Sequence, residues 1–259
     1  VQKIKSKSFV LIIPILIFSG IYFYIYSLIF TTLKFDISKN KRSHATNYSY
    51  LIRSSDNKVL SKLSRKFEID NSKHKIPFFL KHSFISSEDK RFYKHNGIDL
   101  KSISRALIQN IRSGYVKEGG STITQQVARL LFLNNDVSFQ RKIKEIFLSL
   151  ILEFRYDKNQ IFKIYLNNIY LGSGAYGVNE AAQVYFGKFI EELTLSEIAL
   201  IAGLAPAPSI YSPYKNIELA LKNRNKVLES MYVDGYISLA KKNKAIKEKI
   251  NLNYQTADN

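Results

Sequence analysis

Three short segments carry the residue types that chemistry needs. The first, Glu88-Asp89-Lys90-Arg91-Phe92-Tyr93-Lys94-His95-Asn96-Gly97-Ile98-Asp99, falls where a helix beginning at Pro77 runs out. A carboxylate there meets the negative end of the helix dipole, and burial beside Phe84 or Phe92 disfavours its ionised form further. Both effects raise proton affinity, the tuning a general base or acid needs near neutral pH. Paired acids among basic residues also occur as a plain solvated face. The second segment, Glu118-Gly119-Gly120-Ser121-Thr122-Ile123-Thr124-Gln125-Gln126, puts two glycines and hydroxyls at a helix start. Free backbone N–H groups there can bind phosphate oxygens, with Ser121 adding a donor. A capped helix without ligand is the alternative, and no P-loop lysine follows the glycines, so a nucleoside triphosphate site is not supported. In the third, Arg141-Lys142-Ile143-Lys144-Glu145, one-turn spacing puts Arg141 and Glu145 on one helix face. A surface ion pair would account for it. A carboxylate within a basic group is equally what a departing diphosphate requires: cations against developing charge, and an acid to hold a cation or a metal.

Helices must hold these segments, and their caps are legible. Asp99 precedes the series Leu100, Ile103, Leu107 and Ile111, which Gly114 can end. Thr122 with Gln125 forms a capping-box pair ahead of Val127, Leu130 and Leu131. Thr194 with Glu197 repeats it before Ile198, Ile201 and Ala202, and Pro206 stops that helix. Phe139, Ile143, Ile146, Phe147, Leu150, Ile151 and Phe154 mark one side of a further helix, with Arg141, Lys142 and Glu145 off its centre. Such stripes are expected to face the core. The whole reads as one mainly helical domain over residues 76–250, without a fixed-period repeat. Upstream, residues 34–75 read as a polar, basic linker followed by a short hairpin from Tyr48 to Ser64 turning at Ser55-Asp56-Asn57; residues 251–259 form a tail.

The 259 residues contain no cysteine, which excludes disulfides, thiol nucleophiles and cysteine-held zinc. Lys plus Arg number 39 against 21 Asp plus Glu, a formal charge of +18 that calls for an anionic neighbour. At 46% apolar the chain is no disordered polycation. From Phe9 to Leu33 no charged residue occurs. About 25 positions at roughly 1.5 Å each can cross a hydrocarbon core of about 30 Å, so 9–33 reads as a transmembrane helix after a tail at 1–8. Tyr22, Tyr24 and Tyr26 suit an interfacial belt. A cleaved signal peptide is the rival, but the stretch is long for one and no small-x-small site follows. Lys3, Lys5 and Lys7 before it balance Lys34, Lys39, Lys41 and Arg42 after it, so charge does not decide orientation.

In this order the segments resemble the glycosyltransferase family 51 module, the peptidoglycan glycosyltransferase that polymerises lipid II. That module occurs alone behind a membrane anchor or as the N-terminal part of class A penicillin-binding proteins. Glu-Asp-x-x-Phe-x-x-His-x-Gly-x-Asp is matched at Glu88, Asp89, Phe92, His95, Gly97 and Asp99. Gly-x-Ser-Thr-x-x-Gln-Gln is matched at Gly119 to Gln126, including Gly120, Ser121, Thr122, Gln125 and Gln126; Arg-Lys-x-x-Glu is Arg141 to Glu145. Two further similar stretches are Ile161 to Gly177 and Leu193 to Pro213. Some members carry a basic residue just before the third motif, where this chain has Val137.

The resemblance implies a lysozyme-like helical fold. It makes Glu88 the general base that deprotonates the 4-hydroxyl of the lipid II acceptor, and Glu145 the second carboxylate, on the donor side. Substrate contacts fall to Asp89, Ser121, Thr122, Gln125, Gln126, Arg129, Arg141, Lys142 and Lys144; Phe92, His95, Gly97, Asp99 and Gly120 hold the motifs in shape. No obligatory cofactor is implied, although a divalent cation, Mg or Mn, could sit at the pyrophosphate. Partners would be lipid II, the lipid-linked nascent glycan, the membrane and other cell wall synthesis proteins, not nucleic acid. Lipid II is polymerised outside the cytoplasmic membrane, which places the N-terminus inside and the domain outside on a single-pass anchor. Phe78, Phe79 and Phe84, alternatively core, resemble the family's apolar patch that dips into the bilayer. Two rivals remain. A lysozyme-like glycan-cleaving enzyme would not need the second and third motifs. A class A penicillin-binding protein cut after its transferase module would carry a transpeptidase, for which Ser55-Asp-Asn-Lys58 and Ser238-Leu-Ala-Lys241 give only chance matches and no Lys-Thr-Gly or Lys-Ser-Gly occurs.

Overall fold

Side-chain caps set the helix boundaries. Asp99 accepts from the Lys101 and Ser102 N–H groups at 3.1 and 3.3 Å and starts one helix, and Gly114, at φ +72°, ends it in the left-handed region that glycine enters without strain. Reciprocal capping boxes form at Thr122 with Gln125 and at Thr194 with Glu197. The computed structural model describes residues 19–20, 22–24, 27, 48–53, 59–65, 76–115, 119–133 and 138–254. From Phe78 onward the helices among the described residues are α1 (Phe78–Glu88), α2 (Leu100–Ser113), α3 (Ile123–Phe132), α4 (Phe139–Arg155), α5 (Lys158–Asn168), α6 (Val178–Phe186), α7 (Leu195–Leu204), α8 (Pro208–Tyr211), α9 (Ile217–Val233) and α10 (Leu239–Lys247). Strands β1 (Tyr48–Arg53) and β2 (Val59–Arg65) pair antiparallel from Tyr48↔Arg65 to Arg53↔Val59, with an irregularity at Ile52/Arg53. The turn expected between them lies outside the described residues, as do the tail 1–8, nearly all of the span 9–33, the linker 34–47 and residues 255–259. Among the described residues no helix is long and apolar enough to cross a membrane.

The α7 helix is the axis of the domain. Every residue from Ser196 to Leu204 is buried, and a helix apolar all round must be wrapped by others. The α1 and α9 helices pack on it, and α10 packs on α9. Buried Arg224 of α9 joins these layers, donating to Ser196 Oγ at 3.1 Å and the Ile246 carbonyl at 2.9 Å, so its charge is hydrogen-bonded rather than stranded. A second layer sets α3 against both α4 and α5. Phe84, Phe162, Tyr165, Leu166, Leu200 and Ile201 belong to the shared core.

Two stripes expected inside face outward. On α4, Phe139 is 81% and Phe154 92% exposed, while Glu145, Leu148, Ser149 and Leu152 form the buried side. On α2, Leu100 is 74% and Ile111 71% exposed, and Ala106 alone is fully buried. Periodicity reveals that a helix has an apolar side but not which way that side points. The Phe78, Phe79 and Phe84 group divides: Phe84 is core, whereas Phe78 is 56% exposed and packs against His82 and Tyr236. Among the described residues, α2 and α4 each carry a run of exposed large apolar side chains. The ring of Tyr24 meets Phe147 of α4 edge-on, centroids 6.3 Å apart.

Candidate active site

Glu88 is the last residue of α1, where unpaired helix carbonyls leave a negative potential. Its Oε2 accepts from Gln126 Nε2 of α3 at 3.0 Å. Burial pushes its carboxyl above the ordinary value; the Gln126 hydrogen bond opposes this, the Asp89 charge adds to it, and Arg129 pulls it back. The neighbouring Asp89 points elsewhere. Its oxygens take the Ile123 N–H at 3.0 Å and His95 Nε2 at 2.9 Å, so it bolts the end of α1 to the start of α3. Arg91 pairs with Asp99 at 3.1 Å, and buried Phe92 packs on Phe162. Gly97 adopts φ +85°, and a Cβ there would stand 2.9 Å from the Ser149 carbonyl, so the loop after α1 is pressed onto α4 where only glycine fits.

Glu145 is fully buried on the inner side of α4. Lys142 Nζ lies 2.7 Å from its Oε2; Arg141 Nε and Arg129 Nη1 lie 3.3 and 4.0 Å from Oε1. Neither arginine contact is an aligned hydrogen bond, so the guanidinium groups are gathered by charge while keeping donors for another acceptor. Lys142 also donates to Ser121 Oγ at 2.8 Å, tying the cluster to the residue before the α3 cap. Gln126 and Arg129 stand three residues apart on α3, one holding Glu88 and the other facing Glu145. That spacing puts them on one face, ~4.5 Å apart along the axis. A carboxylate whose proton affinity is raised and a cationic cluster therefore lie along the same side of one helix.

The transglycosylase family model matches residues 56–232, more than half of the chain. The chain belongs to this family. Its transglycosylase domain is 51% identical over 164 residues to penicillin-binding protein 1A of Aquifex aeolicus, covering 63% of this chain and 23% of that protein. It is 43% identical over 207 residues to penicillin-binding protein 1A of Escherichia coli, covering 80% and 24%. A crystal structure of penicillin-binding protein 1A from Haemophilus influenzae aligns at 26% identity and TM-score 0.48, over 80% of this chain and 21% of its own. The chain thus spans about a quarter of the length of these relatives.

Within the transglycosylase domain the expected site residues divide. Glu88, Gln126, Arg129, Ser121, Arg141, Lys142 and Glu145 are brought together along α3. Asp89, Thr122 and Gln125 are buried: Asp89 is engaged as above, Thr122 donates to the Gly97 carbonyl at 2.6 Å, and Gln125 accepts the Thr122 N–H through Oε1 while its Nε2 has no hydrogen-bond partner among the described residues. At the start of α3, Asp89 takes the Ile123 N–H and Thr122 Oγ1 the Gln125 N–H, so two of its N–H groups are already engaged. Lys144 is exposed on α4, about 100° round the helix from Glu145, and stands outside the cluster. Gly120 serves packing, since a Cβ on it would sit 3.1 Å from Ile103 Cα of α2. Glu118 and Val137 lie outside the described residues. One residue was not among the expected site residues: Tyr165, inside the stretch Ile161 to Gly177, is fully buried and within electrostatic reach of Glu88. Among the described residues no group of three or more acidic or histidine side chains could hold a metal. The donors round Glu145 are three cations and a hydroxyl, a poor fit for a protein-held divalent ion.

Proposed function

We propose that the domain is a peptidoglycan glycosyltransferase that polymerises lipid II into glycan strands, with the lysozyme-like helical fold of its family. The observation that carries this is the pairing along α3 of the Glu88–Gln126 unit with the Glu145, Arg129, Arg141 and Lys142 cluster. Glu88 takes the proton from the sugar 4-hydroxyl of the lipid II acceptor. The oxygen attacks the anomeric carbon of the lipid-linked glycan from the opposite face, the bond to the diphosphate breaks, and the configuration inverts. Charge appearing on the leaving diphosphate is met by Arg129, Arg141, Lys142 and the Ser121 hydroxyl, while buried Glu145 keeps the three cations converged. Those cations supply positive charge on the donor side. A glycan-cleaving hydrolase would have no use for them.

The outer faces of α2 and α4 support work at a bilayer. Leu100, Leu107 and Ile111 run along α2 beside Lys101, Arg105 and Arg112, an apolar strip bordered by cations of the kind that sits at headgroup level. The Tyr24–Phe147 contact brings the N-terminal segment to the same surface. In this reading residues 9–33 anchor the protein in the cytoplasmic membrane with the domain outside. The names of the relatives also favour a bifunctional parent, which fluorescent penicillin labelling of the full-length gene product tests. The transferase reading is tested by gel analysis of glycan made from purified lipid II with and without moenomycin, the family's donor-site inhibitor. Polymer that vanishes with inhibitor supports it; no polymer from a folded, membrane-reconstituted protein overturns it.

A further inference from the structure

Tyr165 of α5 has a fully buried side chain, its ring edge-on to Phe84 at 5.8 Å and stacked on Phe162 at 6.2 Å. Phe84 stands one turn before Glu88, so one face of α1 carries both the ring that Tyr165 packs on and the carboxylate. The Tyr165 hydroxyl lies within electrostatic reach of Glu88, Arg129 and Asp89, yet has no hydrogen-bond partner among the described residues. Volume alone would be served by phenylalanine, since burying an unpaired hydroxyl is destabilising. Burial, together with the Glu88 charge, pushes this phenol well above its ordinary range, so it stays protonated and can donate. Both Asp89 oxygens are already engaged by His95 and the Ile123 N–H, whereas Glu88 is held through Oε2 alone and has acceptor capacity left.

Resting on the reading of Glu88 as the base, we propose that Tyr165 is a positioning residue for it. With the acceptor sugar bound, its hydroxyl donates to the Glu88 carboxylate from the α5 side while Gln126 donates from the α3 side. The two donors fix which lone pair faces the sugar and keep the base ionised until it takes the proton. Hydrogen bonds at catalytic groups commonly close only in the substrate complex, so an unpaired hydroxyl in the free protein is the expected resting arrangement.

The test is Tyr165→Phe in the 259-residue chain, with rates measured on lipid II across pH and folding checked by thermal melting. Loss of a donor to a carboxylate raises its proton affinity, so kcat falls about tenfold at neutral pH, and the acid limb of its pH profile moves upward while the melting temperature is kept or raised. Replacement of Tyr165 by 3-fluorotyrosine, a stronger donor, moves the limb the other way with the rate retained. Wild-type kcat and an unmoved limb in Tyr165→Phe overturn the proposal, as does a loss of rate in both variants with no movement of either limb. Glu88→Gln in parallel separates the failures: polymerisation surviving there sinks the base assignment, whereas a dead Glu88→Gln beside a neutral Tyr165→Phe sinks only the role of the tyrosine.

Discussion

The carboxylates at the two ends of the α3 face keep opposite company. Glu88 meets an uncharged amide at 3.0 Å, a neighbouring acid and the negative end of α1, and burial there favours its protonated form. Glu145 is more deeply buried by surface area but is ringed by Lys142, Arg141 and Arg129 within 4.0 Å. The same side chain is thus given two characters by its surroundings: where charge is resisted its proton affinity rises, and where cations crowd in it holds them together. The same contrast predicts different failures at the two ends.

The largest effect is expected from Glu88→Gln. Polymer formation falls by about 10³-fold, the range for removing a general base, while binding of lipid II is largely kept. Stability should move the other way. A carboxyl whose folded-state value is raised contributes stability that is full below its unfolded value of 4.5 and is lost as pH rises through the folded value. Glutamine carries no such charge, so Glu88→Gln melts higher than wild type at pH 8 and not at pH 4. A variant equally stabilised at both would show that Glu88 is not held in a charge-resisting site.

Next comes the cationic end. Lys142→Met removes the contacts to Glu145 Oε2 and Ser121 and should cost about 10²-fold in kcat, comparable to losing one donor from an electrostatic site. The acid limb of the pH profile should stay in place, because Lys142 does not act on Glu88. Movement of the limb would mean that the two ends of α3 are one electrostatic unit, and the division of labour would fail.

A contrast of the same kind runs across α4, whose inner side holds Glu145 and whose outer side shows Phe139 and Phe154. Phe154→Ser removes apolar area that would enter a bilayer and should weaken binding to anionic vesicles by about tenfold, without changing the rate on detergent-dispersed substrate. Equal loss in both assays would place Phe154 with the site rather than with the membrane.

How far these features could be read from sequence depended on the range of the interactions. Capping is local, so Asp99, Thr122 and Thr194 were legible within four residues of chain. Motif order named the residues that line α3. Direction was not legible. The α4 stripe reads as core because nothing in seventeen residues says that the buried side is the one carrying Glu145. Nor could the segment Glu118–Gln126 reveal that Asp89, 34 positions upstream of Ile123, would take the first N–H of the helix. Tyr165 was hidden for a third reason: an aromatic in an apolar run signals packing, and only the fold brings it within electrostatic reach of Glu88.

The smallest effect tests what keeps the two carboxylates in register. Thr122 caps α3 and donates to the Gly97 carbonyl, so it joins the loop after α1 to the helix that both carboxylates share. Thr122→Val keeps the volume and deletes both hydrogen bonds. Losing such a cap costs about 1 kcal/mol, or roughly 2–4 °C in melting temperature for a domain of this size. If α3 is the ruler between base and cations, the small loss should bring a severalfold fall in kcat with the acid limb and the vesicle affinity both unchanged, because distance is disturbed while neither environment is. A melting shift without any loss of rate would mean that the Asp89 bolt alone sets the register, and that Thr122 serves stability only.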